Sequence, residues 1–185
     1  VLAGLAGAAF VTLIGNLDGA VQVAAGVWRS WIRDLPFGDF DFWRSTRVMP
    51  PDPPGHEITE FPYFTFLFAD LHAHLIVIPF TLLAAGLALN LVLSVRETGF
   101  RWSVVVLPFV ALGVAVGSLA TINTWDYPSY LLLGIGAVAL GYYAYHRSLD
   151  ARMLVVTVVG GALLAAISYL AFLPFHQRYM PSSLG

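Results

Sequence analysis

The 185 residues are 58% hydrophobic and 11% charged, with no cysteine and a formal net charge of -2. A soluble domain carries about a quarter charged residues, so this composition is that of a membrane protein. Missing cysteine excludes a disulfide framework and a thiolate metal site, and the weak negative charge gives no reason to expect nucleic acid as a partner.

The first apolar stretch, 1–15, falls short of the ~20 residues a full span needs. It is read as part of a transmembrane helix (1–16) that begins upstream. Gly15-Asn16-Leu17-Asp18-Gly19 would close it, since Gly and Asn suit a helix C-terminus. No charged n-region precedes the stretch, so it is not a signal peptide. The chain reads as an excerpt of a longer multi-spanning polypeptide, with more sequence expected at both ends.

Residues 17–74 read as a long outer loop. Arginines and acids concentrate there, with Met49-Pro50-Pro51-Asp52-Pro53-Pro54-Gly55, which is no helix interior. Trp28, Trp31, Phe37, Phe40, Phe42 and Trp43 are interleaved, and rings of this kind rest at a membrane interface. Residues 61–93 are almost unbroken apolar sequence. As one helix they would run roughly 50 Å, against a hydrocarbon core of about 30 Å. The stretch therefore divides into an interfacial or re-entrant helix at 61–69 and a span at 75–93.

Further spans are expected at 104–120, 130–145 and 153–173. The fold class is all-α integral membrane: one domain over 1–185, a polytopic helical bundle of about five transmembrane segments plus the long extracytoplasmic loop with its interfacial helix. The short loops at 96–101 and 147–152 each hold two arginines and 121–129 holds none. The positive-inside rule turns the first two to the cytoplasm. The chain is then a multi-pass protein of the cytoplasmic membrane, and its polar motifs share the extracytoplasmic face.

Three constellations can carry chemistry. In Asp70-Leu71-His72-Ala73-His74 a helix puts Asp70 and His74 on one face at i, i+4. They can co-bind a divalent metal or pair so that the imidazole stays charged. The bland alternative is an Asp–His hydrogen bond closing the bundle. A D-x-H-x-H strand end would suit a β/α-barrel metal enzyme, but no alternating βα units are present. In Thr121-Ile122-Asn123-Thr124-Trp125-Asp126-Tyr127-Pro128, Asp126 or Ser129 would cap a helix while Trp125 and Tyr127 anchor it in the interface. Alternatively Asn123, Trp125 and Asp126 line a sugar-sized pocket. Arg44 and Arg47, three apart, can grip one lipid phosphate, or pair with Asp39 and Asp41 as loop scaffolding. Glu60 is either first-turn helix stabilisation or a base or ligand near Asp70. His56, His146 and His176 show no ligand spacing.

Residues 42–48 (FWRSTRV), 58–74 (ITEFPYFTFLFADLHAH), 122–130 (INTWDYPSY) and 15–19 (GNLDG) together resemble the YYY membrane protein family. The resemblance covers nearly the whole chain. Members usually read D-L-H-P-H where this chain has Ala73, and both histidines are kept. The family's tyrosine-rich segment is not in this chain and is expected upstream. The resemblance implies likeness to GT-C glycosyltransferases, polytopic enzymes that take sugar from a polyprenyl-phosphate carrier outside the cytoplasmic membrane. It implies that the acidic residue of the first outer loop, and with it the catalytic base, lies upstream.

On this reading Arg44 and Arg47 bind the donor phosphate, and Asn123, Trp125 and Asp126 hold sugar. Asp70, His72, His74 and Glu60 organise the reaction, with Asp70 and His74 as ligands of any divalent metal. The expected partners are membrane lipid and a polyprenyl-phosphate sugar donor. The alternatives are a transporter or flippase for a lipid-linked or anionic solute, and a structural membrane module.

Overall fold

The computed structural model describes residues 1–10, 17–42, 44 and 72–179, with His74 described by its backbone alone. The described elements are all helices: α1 (Leu2–Ala9), α2 (Leu17–Ile32), α3 (Ala73–Thr98), α4 (Trp102–Ile122), α5 (Asp126–His146), α6 (Ala151–Ala171) and α7 (Leu173–Arg178). The chain divides into two compact units, Val1–Leu75 and Ile76–Gly185.

In the first unit, α2 is amphipathic. Asp18, Gln22 and Arg29 stand on one side with the buried Gly19 and Gly26, while Leu17, Val21, Trp28, Trp31 and Ile32 are exposed on the other. The chain after α2 folds back over the polar side, and the Phe37 ring lies directly on Gly26. A side chain at position 26 would displace that ring, so glycine is kept despite its cost of about 1 kcal/mol in a helix interior. This corrects the sequence expectation in one place: residues 17–32 of the expected outer loop form a helix, which includes Leu17-Asp18-Gly19. The cause is the 3.6-residue polar stripe, which outweighs the helix-breaking character of glycine. The expected interfacial helix at 61–69 lies outside the described residues.

In the second unit, the turns at 99–101, 123–125 and 147–150 are short, so successive helices reverse direction; α4, α5 and α6 pack closely on one another, and α3 joins them through its buried side chains. The buried residues of α3 recur at Val77, Ala84, Ala88, Leu91 and Val95, a stripe spaced by three, four and seven. That stripe joins Val105, Leu112, Ala115 and Val116 of α4, Ala137 and Val138 of α5 and Leu164 of α6 in one core. Small residues set how closely the helices approach. A Cβ on Gly134 would strike the Leu164 side chain, and one on Gly117 would strike the backbone oxygen of Ser168.

Among the described residues, three helices are long and apolar enough to cross a membrane: Leu75–Thr98, Trp102–Ile122 and Ala151–Ala171. They cover the spans expected at 75–93 and 104–120 and all but the last two residues of that expected at 153–173. The fourth, expected at 130–145, lies inside α5. That helix has the length of a span, about 31 Å at 1.5 Å per residue, but Asp126, Tyr127, Tyr130, Tyr142, Tyr143, Tyr145 and His146 lower its hydropathy.

Candidate functional site

The α4–α5 turn is built from its own polar groups. Asn123 ends α4, its backbone N–H donating to the Leu119 carbonyl at 2.8 Å. Its side-chain amide donates to Asp126 Oδ2 at 2.9 Å, and the Asp126 backbone N–H returns to the Asn123 carbonyl at 3.0 Å. The two residues expected to share a ligand are therefore bonded to each other. Neither Asp126 nor Ser129 caps α5: the cap position is Trp125, which makes no side-chain cap bond, and Asp126 lies in the first turn. There its carboxylate faces the positive end of the helix dipole. Trp125 stands out of the turn with 87% of its surface exposed.

Tyr127 holds this turn against the bundle. Its hydroxyl meets Ser168 Oγ at 2.9 Å, and Ser168 is fully buried. Ser168 Oγ also lies 2.8 Å from the Ala165 carbonyl, to which its one hydroxyl proton can be donated. The sequence reading had Tyr127 as an interface anchor; the signal missed is that Ser168 is a hydroxyl on the buried stripe of α6, and a buried hydroxyl calls for a partner.

The opposite turn, at 147–150, is fixed by Asp150. Its Oδ1 caps α6 by accepting the Met153 N–H at 2.9 Å. Tyr142 donates to the same carboxylate at 3.1 Å and Ser148 at 3.0 Å. The Met153 N–H above all, with the Ser148 and Tyr142 hydroxyls, holds the Asp150 carboxyl below its ordinary range. An aspartate just before an apolar helical run is a recognised cap signal, and it was legible at this position. The His146 ring packs on Tyr142 with centroids 4.3 Å apart.

In the first unit, Arg44 Nε donates to Asp18 at 3.0 and 3.1 Å. Gln22 adds a bond from its amide to Asp18 Oδ2 at 2.7 Å, and pairs with the backbone of Asp41 in both directions, at 3.0 and 2.7 Å. Arg44 lowers the Asp18 carboxyl below its ordinary range, helped by Gln22 and opposed by partial burial. Scaffolding by Arg44 was one of the two sequence readings, but with Asp39 and Asp41 as partners. The carboxylate that takes the guanidinium is Asp18, while Asp41 Oδ1 accepts the Arg44 backbone N–H at 3.0 Å. Arg44 remains 60% exposed.

His74 stands in the first turn of α3, and the His72 carbonyl accepts the Leu75 N–H at 3.1 Å just before it. Glu60, Arg47 and Asp70 lie outside the described residues. Among the described residues, no group of three or more His, Asp or Glu side chains is placed to hold a metal ion.

Over residues 1–185 the chain matches a family described as Uncharacterized membrane protein (DUF2298). The chain belongs to this family. No curated protein and no solved structure matches it. For this member of DUF2298, then, membership and the apolar helices together establish a membrane protein with several spans in contact with lipid. Its chemistry has to be argued from its own residues.

Proposed function

We propose that this chain is part of a GT-C-like membrane glycosyltransferase that uses a polyprenyl-phosphate-linked sugar at the extracytoplasmic face of the cytoplasmic membrane. In this reading α5 is a fourth span and α1 belongs to a fifth. The observation that carries the proposal is the α4–α5 turn: a pre-bonded amide and carboxylate, Asn123 and Asp126, beside a Trp125 ring that is 87% exposed. A pyranose presents an apolar face to an indole and hydroxyls to an amide and a carboxylate. The turn also carries no arginine, whereas the turns at the other end of the bundle do, as an outward-facing end requires.

The roles follow. Trp125 stacks on the sugar, and Asn123 and Asp126 bond its hydroxyls. Arg44, fixed by Asp18 through Nε, has its remaining N–H groups for a phosphate oxygen, together with Arg47. His72, His74, Asp70 and Glu60 organise the reacting groups. The donor set among the described residues does not by itself make a metal site, so no step is routed through a metal.

The test is sugar release from a panel of polyprenyl-phosphate donors by the full-length protein, with and without chelator. Trp125→Ala and Asn123→Ala should each reduce turnover at least tenfold while helix content is kept. Full turnover in both variants would reduce the turn to a structural closure. Solute uptake into vesicles with no sugar released would favour a transporter.

A further inference from the structure

At the end of the bundle away from Asn123 and Asp126, a groove of about 500 Å³ opens between α4 and α6. Val105 and Phe109 form one wall and Val155, Val159 and Leu163 the other. Leu91 of α3 and Val138 of α5, only 1% and 2% exposed, form its floor. Every lining residue is apolar or aromatic apart from Gly160. On α6 the lining runs from position 155 to 167, about 18 Å at 1.5 Å per residue, close to half of a ~30 Å hydrocarbon core.

Two arginines adjoin the lining along the chain: Arg101 directly precedes Trp102, and Arg152 stands one turn before Val155. Arg152 lies on the same stripe of α6 as Val155, Val156, Val159 and Leu163, by the spacing i, i+3, i+4, i+7 and i+11. Arg101 precedes Val105 and Phe109 of α4 by four and eight. Both side chains are exposed, and neither makes an ion pair among the described residues. Arg96 and Arg147 are exposed at the same end. The acids there are Glu97 and Asp150, and the Asp150 carboxylate is already bonded to Met153, Ser148 and Tyr142.

We infer that this groove is a binding site for one anionic glycerophospholipid of the arginine-side leaflet. Its acyl chain lies between α4 and α6, and its phosphate meets Arg101 and Arg152. Size selects the occupant. A spanning helix about 30 Å long and 10 Å across fills on the order of 2,000 Å³, several times the volume of the groove. An acyl chain has the length of one leaflet and the width of one side-chain row. Charge selects the headgroup: Arg96, Arg101, Arg147 and Arg152 outnumber Glu97 and Asp150 at this end, and a net positive end favours a phosphate without a compensating choline. The site is independent of the sugar-transfer reading, since its lining includes none of Asn123, Trp125 and Asp126.

The experiment purifies the full-length protein from bilayers of equal phosphatidylglycerol and phosphatidylcholine in mild detergent, and measures the retained lipids by mass spectrometry. About a thirtyfold preference for phosphatidylglycerol is expected, the effect of two arginines at about 1 kcal/mol each near an anionic headgroup. Arg101→Gln with Arg152→Gln should bring the ratio near one without loss of helix content, because both side chains are exposed. Val159→Trp should fill the groove and lower retention of both lipids. Val159→Gly, which only widens it, should keep the preference if the tryptophan variant fails to fold. An unchanged ratio in the double glutamine variant overturns the inference, as does equal retention of the two lipids by the unmodified protein. So does a Val159→Cys thiol that crosslinks in membranes to another protein segment, of the same or a second copy.

Discussion

The Tyr127 hydroxyl on α5 and the buried Ser168 Oγ on α6 share a hydrogen bond of 2.9 Å. The bond lies two residues beyond the exposed Trp125 and couples the α4–α5 turn to the bundle. Tyr127→Phe removes it while keeping the ring, so a loss of about 1 kcal/mol is expected. Ser168→Ala should cost a similar amount. Since both remove the same bond, the double variant should cost less than their sum. Reversible denaturation in detergent measures all three, and full additivity would mean that the two hydroxyls do not interact.

Close approach of α4 and α6 depends on a missing side chain. A Cβ at position 117 would meet the backbone oxygen of Ser168, and also the Phe172 ring at 2.8 Å. Backbone cannot step aside as a rotamer can, so Gly117→Ala is expected to destabilise by about 1–3 kcal/mol. Gly86 on α3 has open space around it. Gly86→Ala should therefore be neutral, or stabilising by up to about 1 kcal/mol through helix propensity. Equal effects at the two positions, in thermal unfolding, would contradict the packing described.

The helical membrane class and the cores of α3, α4 and α6 were legible because long uncharged apolar runs allow few other structures. The helix α2 was not. Its glycines and Asn16-Leu17-Asp18 resemble a stop signal, and only the strap that bonds Gln22 and Asp18 shows why the polar stripe folds as it does. The candidate site was legible in composition but not in wiring. Asn123 and Asp126 were singled out as ligand groups, yet their bond to each other is a matter of turn geometry that residue types do not carry. Asp18 was missed as the partner of Arg44 because 26 residues separate them.

Asp150 and Asp18 both have carboxyls held below their ordinary range. A depressed folded value stabilises above the unfolded value of about 3.9 and is lost as pH falls through it. Stability should thus be flat from neutrality to about pH 5 in respect of these groups, then decline below about pH 4. The protection factor of the Met153 amide, which Asp150 caps, should fall in that window. Asp150→Asn, which caps without titrating, should remove the dependence at Met153. A protection factor that falls equally in the asparagine variant would assign the acid sensitivity elsewhere.

Arg147 ends α5 in the left-handed region, at φ 54° and ψ 27°, with its N–H donating to the Tyr143 carbonyl at 2.8 Å. A side chain in this conformation costs roughly 1–2 kcal/mol, which glycine avoids. The turn after α3 shows the ordinary solution, Gly99 at φ 63° with its N–H on Val95. On the proposed topology, arginine at 147 meets a demand other than backbone ease, namely a cation on a short turn that the positive-inside rule would hold to the cytoplasmic side. Two effects should then separate. Arg147→Gly should raise the unfolding midpoint, by an amount matching about 1 kcal/mol, and Arg147→Asn by less. Arg147→Val should lower it, since a β-branched residue is worst in that region. Insertion orientation, read by thiol labelling of cysteines introduced at the turns of the cysteine-free chain, should respond only to charge: Arg147→Lys keeps it, and removing Arg147 together with Arg152 weakens it. If glycine at 147 brought no gain in stability, the left-handed cap would not be the strained element it is taken to be.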